Sequence, residues 1–358
     1  MAADASGWAL LLFAGAANGT FGLPMKFVRR WQWENTWAAW TVLALLVLPA
    51  ILALGGVPSL AAIYRGPGLQ ASALVFLFGV GWGLAQVLFG KAIDAIGIGL
   101  AFSVVLGLSA ACGTVLPLLR MQAEASATAA NLRVLFGLLL VGFGIAACAF
   151  AGRRREAAQS AQAIAPRAFT PGLLMAVASG VLASLMNVGL AFAGPILQRG
   201  AALDLGPTRS MFAVWLVLLL GGAIPNLCYC GFLLGRRKTW ELYRGPGQAR
   251  NFGLAALMAV LWFFSTILYG VAAQWLGEWG VVLGWPAFMS VIVITAGLLG
   301  IFSGEWAGSG RTPVLFQIAG VLLLVLAIVA FSLAQNVLQH GERAGTVARG
   351  LFSAAYVR

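Results

Sequence analysis

The sequence predicts an all-α integral membrane protein of ten transmembrane helices, arranged as two inverted five-helix repeats. Three observations carry this: an apolar excess, ten apolar segments of bilayer length, and a self-similarity that superposes the two halves. Hydrophobic residues fill 61% of the 358 positions and charged residues 9%, whereas soluble domains run at about 45–50% apolar and about 25% charged. Lipid as the solvent accounts for the missing polar surface. The long apolar runs exclude disorder, and the 46 glycines fall inside them without a Gly-X-Y period.

A hydrocarbon core about 30 Å thick takes roughly 20 residues of helix. The segments run Ser6–Val28, Asn35–Leu54, Ala71–Ile93, Ile98–Leu119, Asn131–Ala151, Pro171–Ala193, Arg209–Leu234, Asn251–Leu276, Trp279–Phe302 and Pro313–Gln335. Open strands are excluded because hydrocarbon cannot satisfy their edges, and a barrel requires alternating segments of about ten residues. The first run lacks a basic n-region and a small-residue cleavage site, so it is expected to remain as a membrane helix. Residues 1–151 form the first repeat, 152–170 a basic cytoplasmic linker, 171–335 the second repeat and 336–358 a C-terminal tail.

Most of the net charge of +12 sits in clusters between apolar runs: Lys26, Arg29 and Arg30; Arg153, Arg154 and Arg155; Arg236, Arg237 and Lys238. Membrane proteins keep such clusters cytoplasmic. No basic face interleaved with aromatics tracks a nucleic acid backbone. The larger share of the 22 Lys and Arg falls in odd-numbered connections, so those are expected in the cytoplasm and both termini in the periplasm. Trp31, Trp33, Trp37 and Trp40 read as an interfacial aromatic belt. Cys112, Cys148, Cys228, Cys230 and the single His340 match no zinc spacing, so neither metal nor cofactor is expected. The GxxxG pairs Gly15/Gly19, Gly79/Gly83 and Gly300/Gly304 predict close helix packing; a homo-oligomer is compatible with them.

One constant shift carries Trp82, Phe89, Gly90 and Gly97 onto Trp262, Tyr269, Gly270 and Gly277, and Val134-Leu135-Phe136 onto Val314-Leu315-Phe316. With one inserted residue, Trp40 and Pro49 correspond to Trp215 and Pro225. A repeat of five helices, an odd number, enters the membrane in opposite senses. Such inverted repeats characterise carriers that bind solute near the midplane between the halves.

On the third and eighth segments, helical spacing puts Trp82, Gln86 and Phe89 on one face and Trp262, Thr266 and Tyr269 on another. Aromatic rings offer a flat surface to the C–H face of a sugar or other small molecule, and the polar members offer hydrogen bonds. The same stripes also serve as an aromatic packing layer. Asn18, Asn187 and Asn226 lie deep in apolar runs, as interhelical bonds or cavity groups. Pro49, Pro117, Pro225 and Pro286 mark candidate kinks.

Proton-coupled carriers commonly use an intramembrane carboxylate or histidine, yet Glu34, Asp94, Glu278 and Glu305 all fall near segment ends. Glu34 and Asp94 are therefore the proton-coupling candidates, with Lys91 and Asp94 spaced to pair; a uniporter is the other reading. A membrane-embedded enzyme requires a nucleophile–base pair or metal cluster at one depth, and the sequence offers no catalytic group there.

The run Lys26-Phe-Val-Arg-Arg-Trp-Gln-Trp-Glu-Asn-Thr-Trp37 resembles the first hairpin of bacterial L-rhamnose–proton symporters of the drug/metabolite transporter superfamily. Phe76-Leu-Phe-Gly-Val-Gly-Trp82-Gly, Gly221-Gly-Ala-Ile-Pro-Asn226, Gly304-Glu-Trp306 and Gly310-Arg-Thr-Pro313 are similar too, in order, to about Gln335. The resemblance implies ten helices in a bacterial inner membrane and uptake of a sugar, L-rhamnose or a related deoxysugar, with a proton. The family pattern has more asparagine, and a tyrosine, on helix three, where this chain has Gln86, Leu88 and Phe89. An exporter or exchanger of another small metabolite is the alternative within that superfamily.

Overall fold

The computed structural model describes residues 2–96, 98–122, 128–159, 169–277, 279–302, 304 and 306–355. Gly97, Glu278 and Glu305 lie outside them, as do residues 160–168 of the basic linker and residues 356–358 of the tail. Among the described residues there is helix and no strand. The long helices are α1 (Ala2–Thr20), α2 (Trp33–Gly56), α3 (Pro67–Ile96), α4 (Ile98–Gln122), α5 (Thr128–Gln159), α6 (Thr170–Ala202), α7 (Pro207–Arg237), α8 (Gln248–Trp275), α9 (Gly280–Phe302) and α10 (Arg311–Ala355).

Nine stretches among the described residues are long and apolar enough to cross a membrane, and α4 contributes a shorter apolar stretch, Val104–Leu119. Helix α10 runs on to Ala355, so the backbone of the expected tail continues that helix. Large apolar side chains such as Phe13, Leu54, Phe143, Leu174 and Phe302 point outward, as lipid requires and water penalises.

Glycine sets the closest contacts. A Cβ at Gly79 would strike the Leu218 carbonyl and one at Gly83 the Gly222 carbonyl, while one at Gly221 would strike the Phe76 carbonyl. Helices α3 and α7 therefore meet backbone to backbone, the geometry small residues permit where burial from water supplies no drive. Gly15 and Gly19 admit Val291 and Thr295 of α9 in the same way, and Gly137 and Gly144 of α5 admit Phe331 and Leu324 of α10. Of the pair Gly300/Gly304, Gly304 lies past the end of α9 at φ +76° with nothing within 4 Å of its Cβ position.

The prolines act differently. Helices α4, α7 and α9 continue through Pro117, Pro225 and Pro286. In α2 the backbone widens to a π-helix over Val42–Val47, where the Leu48 N–H donates to the Leu43 carbonyl. Pro49, next in line, has no N–H to donate.

Candidate functional site

Trp82 of α3 and Trp262 of α8 stack, with ring centroids 5.6 Å apart and planes 24° from parallel. Both are nearly enclosed, at 5% and 7% exposure. The edge of Trp40 in α2 meets Trp262 at 5.2 Å, and Trp37 and Trp33 continue the row at 4.6 and 5.3 Å. Residues 33, 37 and 40 share one helical face, and that face turns inward. The expected interfacial belt is thus corrected: Trp40 is 1% exposed, and Trp31 docks on the connection after α7, its indole N–H donating to the Leu242 carbonyl at 3.1 Å.

Asn226 of α7 joins this row. Its oxygen accepts the Trp37 indole N–H at 3.0 Å, and its amide nitrogen donates to the carbonyls of Gly222 (2.9 Å) and Gly83 (3.3 Å). The indole nitrogens of Trp40 and Trp215 are buried without a hydrogen-bond partner among the described residues. An unpaired buried donor costs about 1–3 kcal/mol, so Trp40 holds a donor for an added acceptor beside the stacked pair.

The other expected site residues divide. Asn18 of α1 donates to the Ser265 hydroxyl at 2.8 Å, and Ser265 and Thr266 both donate to the Trp262 carbonyl, at 2.6 and 2.8 Å. Asn187 of α6 donates to the carbonyls of Gly113 (2.7 Å) and Val281 (2.9 Å) and accepts the Tyr269 hydroxyl at 2.5 Å. Its amide therefore ties α6 to α4, α9 and α8. Tyr269 stacks on Phe288 at 4.7 Å and edges Trp285 at 5.5 Å. These two residues form a second locus, two helical turns from Trp262, with their polar atoms mutually engaged. Gln86 is half-buried and Phe89 packs with Ile93 in a small cluster under α6.

A polar patch closes one end of the bundle. Glu34, in the first turn of α2, is fully buried and meets the Arg237 guanidinium at 3.0 Å, while Thr239 donates to its other oxygen at 3.0 Å. The acid lies at a helix N-terminus and the arginine at the C-terminus of α7, where each complements the helix dipole. Nearby, Asn35 donates to the Thr239 carbonyl at 2.9 Å and Tyr243 donates to the Asn35 carbonyl at 2.9 Å. Asn251 exchanges two hydrogen bonds with the backbone of Arg29. The α1–α2 hairpin is thereby latched to the α7–α8 hairpin.

Sequence position put Glu34 at a segment end; the partner that buries it lies 203 residues away. Asp94 is exposed on α3, and Lys91 sits over the Tyr229 ring at 5.3 Å rather than beside it as spacing suggested.

These features define a polytopic α-helical membrane protein whose polar groups are gathered between helices. Its lineage is specific: residues 4–336 match the family model described as L-rhamnose-proton symport protein (RhaT), and the chain belongs to that family. Among curated relatives, the L-rhamnose-proton symporter of Cronobacter sakazakii is 28% identical over 91% of this chain and 96% of its own length. Those of Klebsiella pneumoniae and Escherichia coli are 27% and 26% identical, each over 88% of this chain and 94% of theirs. The family is one of sugar transporters, not enzymes.

Proposed function

We propose that this protein is a secondary carrier that takes up L-rhamnose, or a closely related deoxysugar, together with a proton across a bacterial inner membrane. The family membership and the names of the relatives support the substrate pair. The single structural observation that carries the reading is the Trp82–Trp262 stack, flanked by the unpaired Trp40 indole N–H. Two rings contributed by segments related by the constant shift suit the flat C–H face of a sugar. Because the rings now rest on each other, binding calls for α3 and α8 to part.

The helix contacts support two inverted repeats. Helix α1 packs on α8 and α9, and α6 packs on α3 and α4. Ser265, which receives Asn18 of α1, is related by the constant shift to Ala85, whose carbonyl receives Ser179 of α6 at 2.8 Å. In this reading the drug/metabolite transporter arrangement of ten helices holds, the latched end is cytoplasmic and the termini are periplasmic. Glu34 is the coupling group: protonation removes the charge that holds Arg237 and lets the two hairpins separate. Exposed Asp94 holds nothing shut and is the weaker candidate.

Counterflow of labelled sugars in proteoliposomes tests the reading. L-rhamnose is expected to drive counterflow, and Trp82→Phe or Trp262→Phe to weaken its apparent affinity several-fold. Absence of counterflow with rhamnose, fucose and lyxose would overturn the sugar assignment. Unchanged affinity in both variants would remove the stack from the site.

A further inference from the structure

Between α2, α7 and the start of α8 lies a groove of about 490 Å³. Ala38 and Val42 line it from α2, Gly231 and Leu234 from α7, Trp240 from the connection and Phe252 from α8. Its walls are almost all carbon, and the Tyr243 hydroxyl at its upper end is already committed to Asn35. A sugar would find no hydrogen bonds there. Val42, Trp240 and Phe252 are exposed at the groove, so it opens sideways, toward acyl chains.

The mouth carries charge. Leu227, Gly231 and Leu234 follow one another on the groove face of α7, and the next position of that stripe is Lys238, which caps the helix. Lys238 is exposed at the mouth, with Glu241 as the exposed acid nearby, whereas Arg236 lies on the opposite face of α7, over the Phe232 ring. From Leu227 to Arg237 the helix rises about 15 Å, the reach of an acyl chain from headgroup level toward the midplane. Basic side chains at the membrane surface attract anionic lipid, and Trp240 and Tyr243 are the ring types that settle at the interface.

We infer that one anionic phospholipid occupies this groove, an acyl chain lying between α2 and α7 and the phosphate held at Lys238. The site is independent of the transport reading. Its occupant packs against Tyr243 and Trp240 and so braces the latch from the side.

Gly231 supplies a clean test, since a Cβ there meets nothing within 4 Å. Gly231→Leu fills the groove while leaving the helix intact. The full-length protein in detergent is titrated with phosphatidylglycerol or phosphatidylcholine of identical chains, and binding is read by native mass spectrometry and by melting temperature. The wild type is expected to retain one phosphatidylglycerol in preference to phosphatidylcholine and to melt higher with it. Gly231→Leu is expected to melt as the lipid-free wild type does and to lose the bound lipid. Lys238→Asn, a residue that tolerates the left-handed backbone at 238, is expected to keep chain binding. That variant weakens phosphatidylglycerol about fivefold. Equal binding of both lipids by the wild type, undiminished lipid in Gly231→Leu, or a dimer that Gly231→Leu dissolves would each overturn the inference.

Discussion

Two seams cross the centre of the bundle and are built in opposite ways. Where α3 meets α7, Gly79, Gly83, Gly221 and Gly222 bring the backbones into contact, and the Trp82 ring lies flat over Gly222, whose Cβ would stand 2.7 Å from it. Where α2 meets α8, the constant shift puts Ala259 and Phe263 in place of Gly79 and Gly83. The register that pairs Trp40 with Trp215 puts Leu46 and Val47 in place of Gly221 and Gly222. Bulk replaces glycine, the Trp40 edge separates the helices, and α2 widens into its π-helix at the contact. One seam is fixed by close packing and the other is held by side chains. The difference places the fixed hinge at α3–α7 and the moving contact at α2–α8, under the Glu34–Arg237 latch. That assignment belongs to the proposed carrier function.

The glycine seam is the place to break first. Gly83→Leu drives a side chain into the Gly222 backbone, and overpacking of this kind costs about 1–3 kcal/mol or more. A large fall in melting temperature and loss of transport are expected. Gly253→Leu, where nothing lies within 4 Å, serves as the control and is expected to leave both unchanged.

At the latch the two partners are unequal, and removing them separately sharpens the contrast. Glu34 is 0% exposed and Arg237 54%. Arg237→Gln leaves a buried carboxylate with Thr239 as its remaining partner, a loss of about 1–3 kcal/mol. Glu34→Gln leaves a guanidinium that water reaches and costs less. The double variant is expected to be more stable than Arg237→Gln alone, measured by chemical or thermal unfolding; equal losses in both single variants would contradict the burial asymmetry.

The smallest effect belongs to Tyr243. Tyr243→Phe removes one hydrogen bond, about 0.5–1.5 kcal/mol. Burial pushes the Tyr243 hydroxyl from its ordinary value of 10.0 up to about 12. The unfolded chain releases this proton first, so the stabilisation is whole below pH 10 and fades as the pH rises from there to about 12. Tyr243→Phe is expected to flatten that decline.

Much of this was legible in the sequence. Apolar length and charge clusters gave the helices, and one constant shift picked out Trp82 and Trp262 before their stacking was seen. The stripe Trp33, Trp37 and Trp40 carried its own helical spacing, but tryptophans near a turn also suit an interface, and only packing decides which way a face turns. Glu34 looked peripheral because position along a segment reports depth and not cover. Its burial depends on Arg237 and Thr239, which no local pattern links to it. Asn187 and Tyr269 were recognisable as polar groups in lipid. Their mutual bond, which separates them from the Trp82–Trp262 pair, depends on four helices meeting.

The central claim is coupling, and one measurement addresses it directly: L-rhamnose uptake into proteoliposomes with a pH gradient imposed and then collapsed. Accumulation above the outside concentration, lost when the gradient is collapsed and absent in Glu34→Gln while its counterflow persists, is the expected result. Downhill equilibration that ignores the gradient would contradict proton symport and make the protein a uniporter.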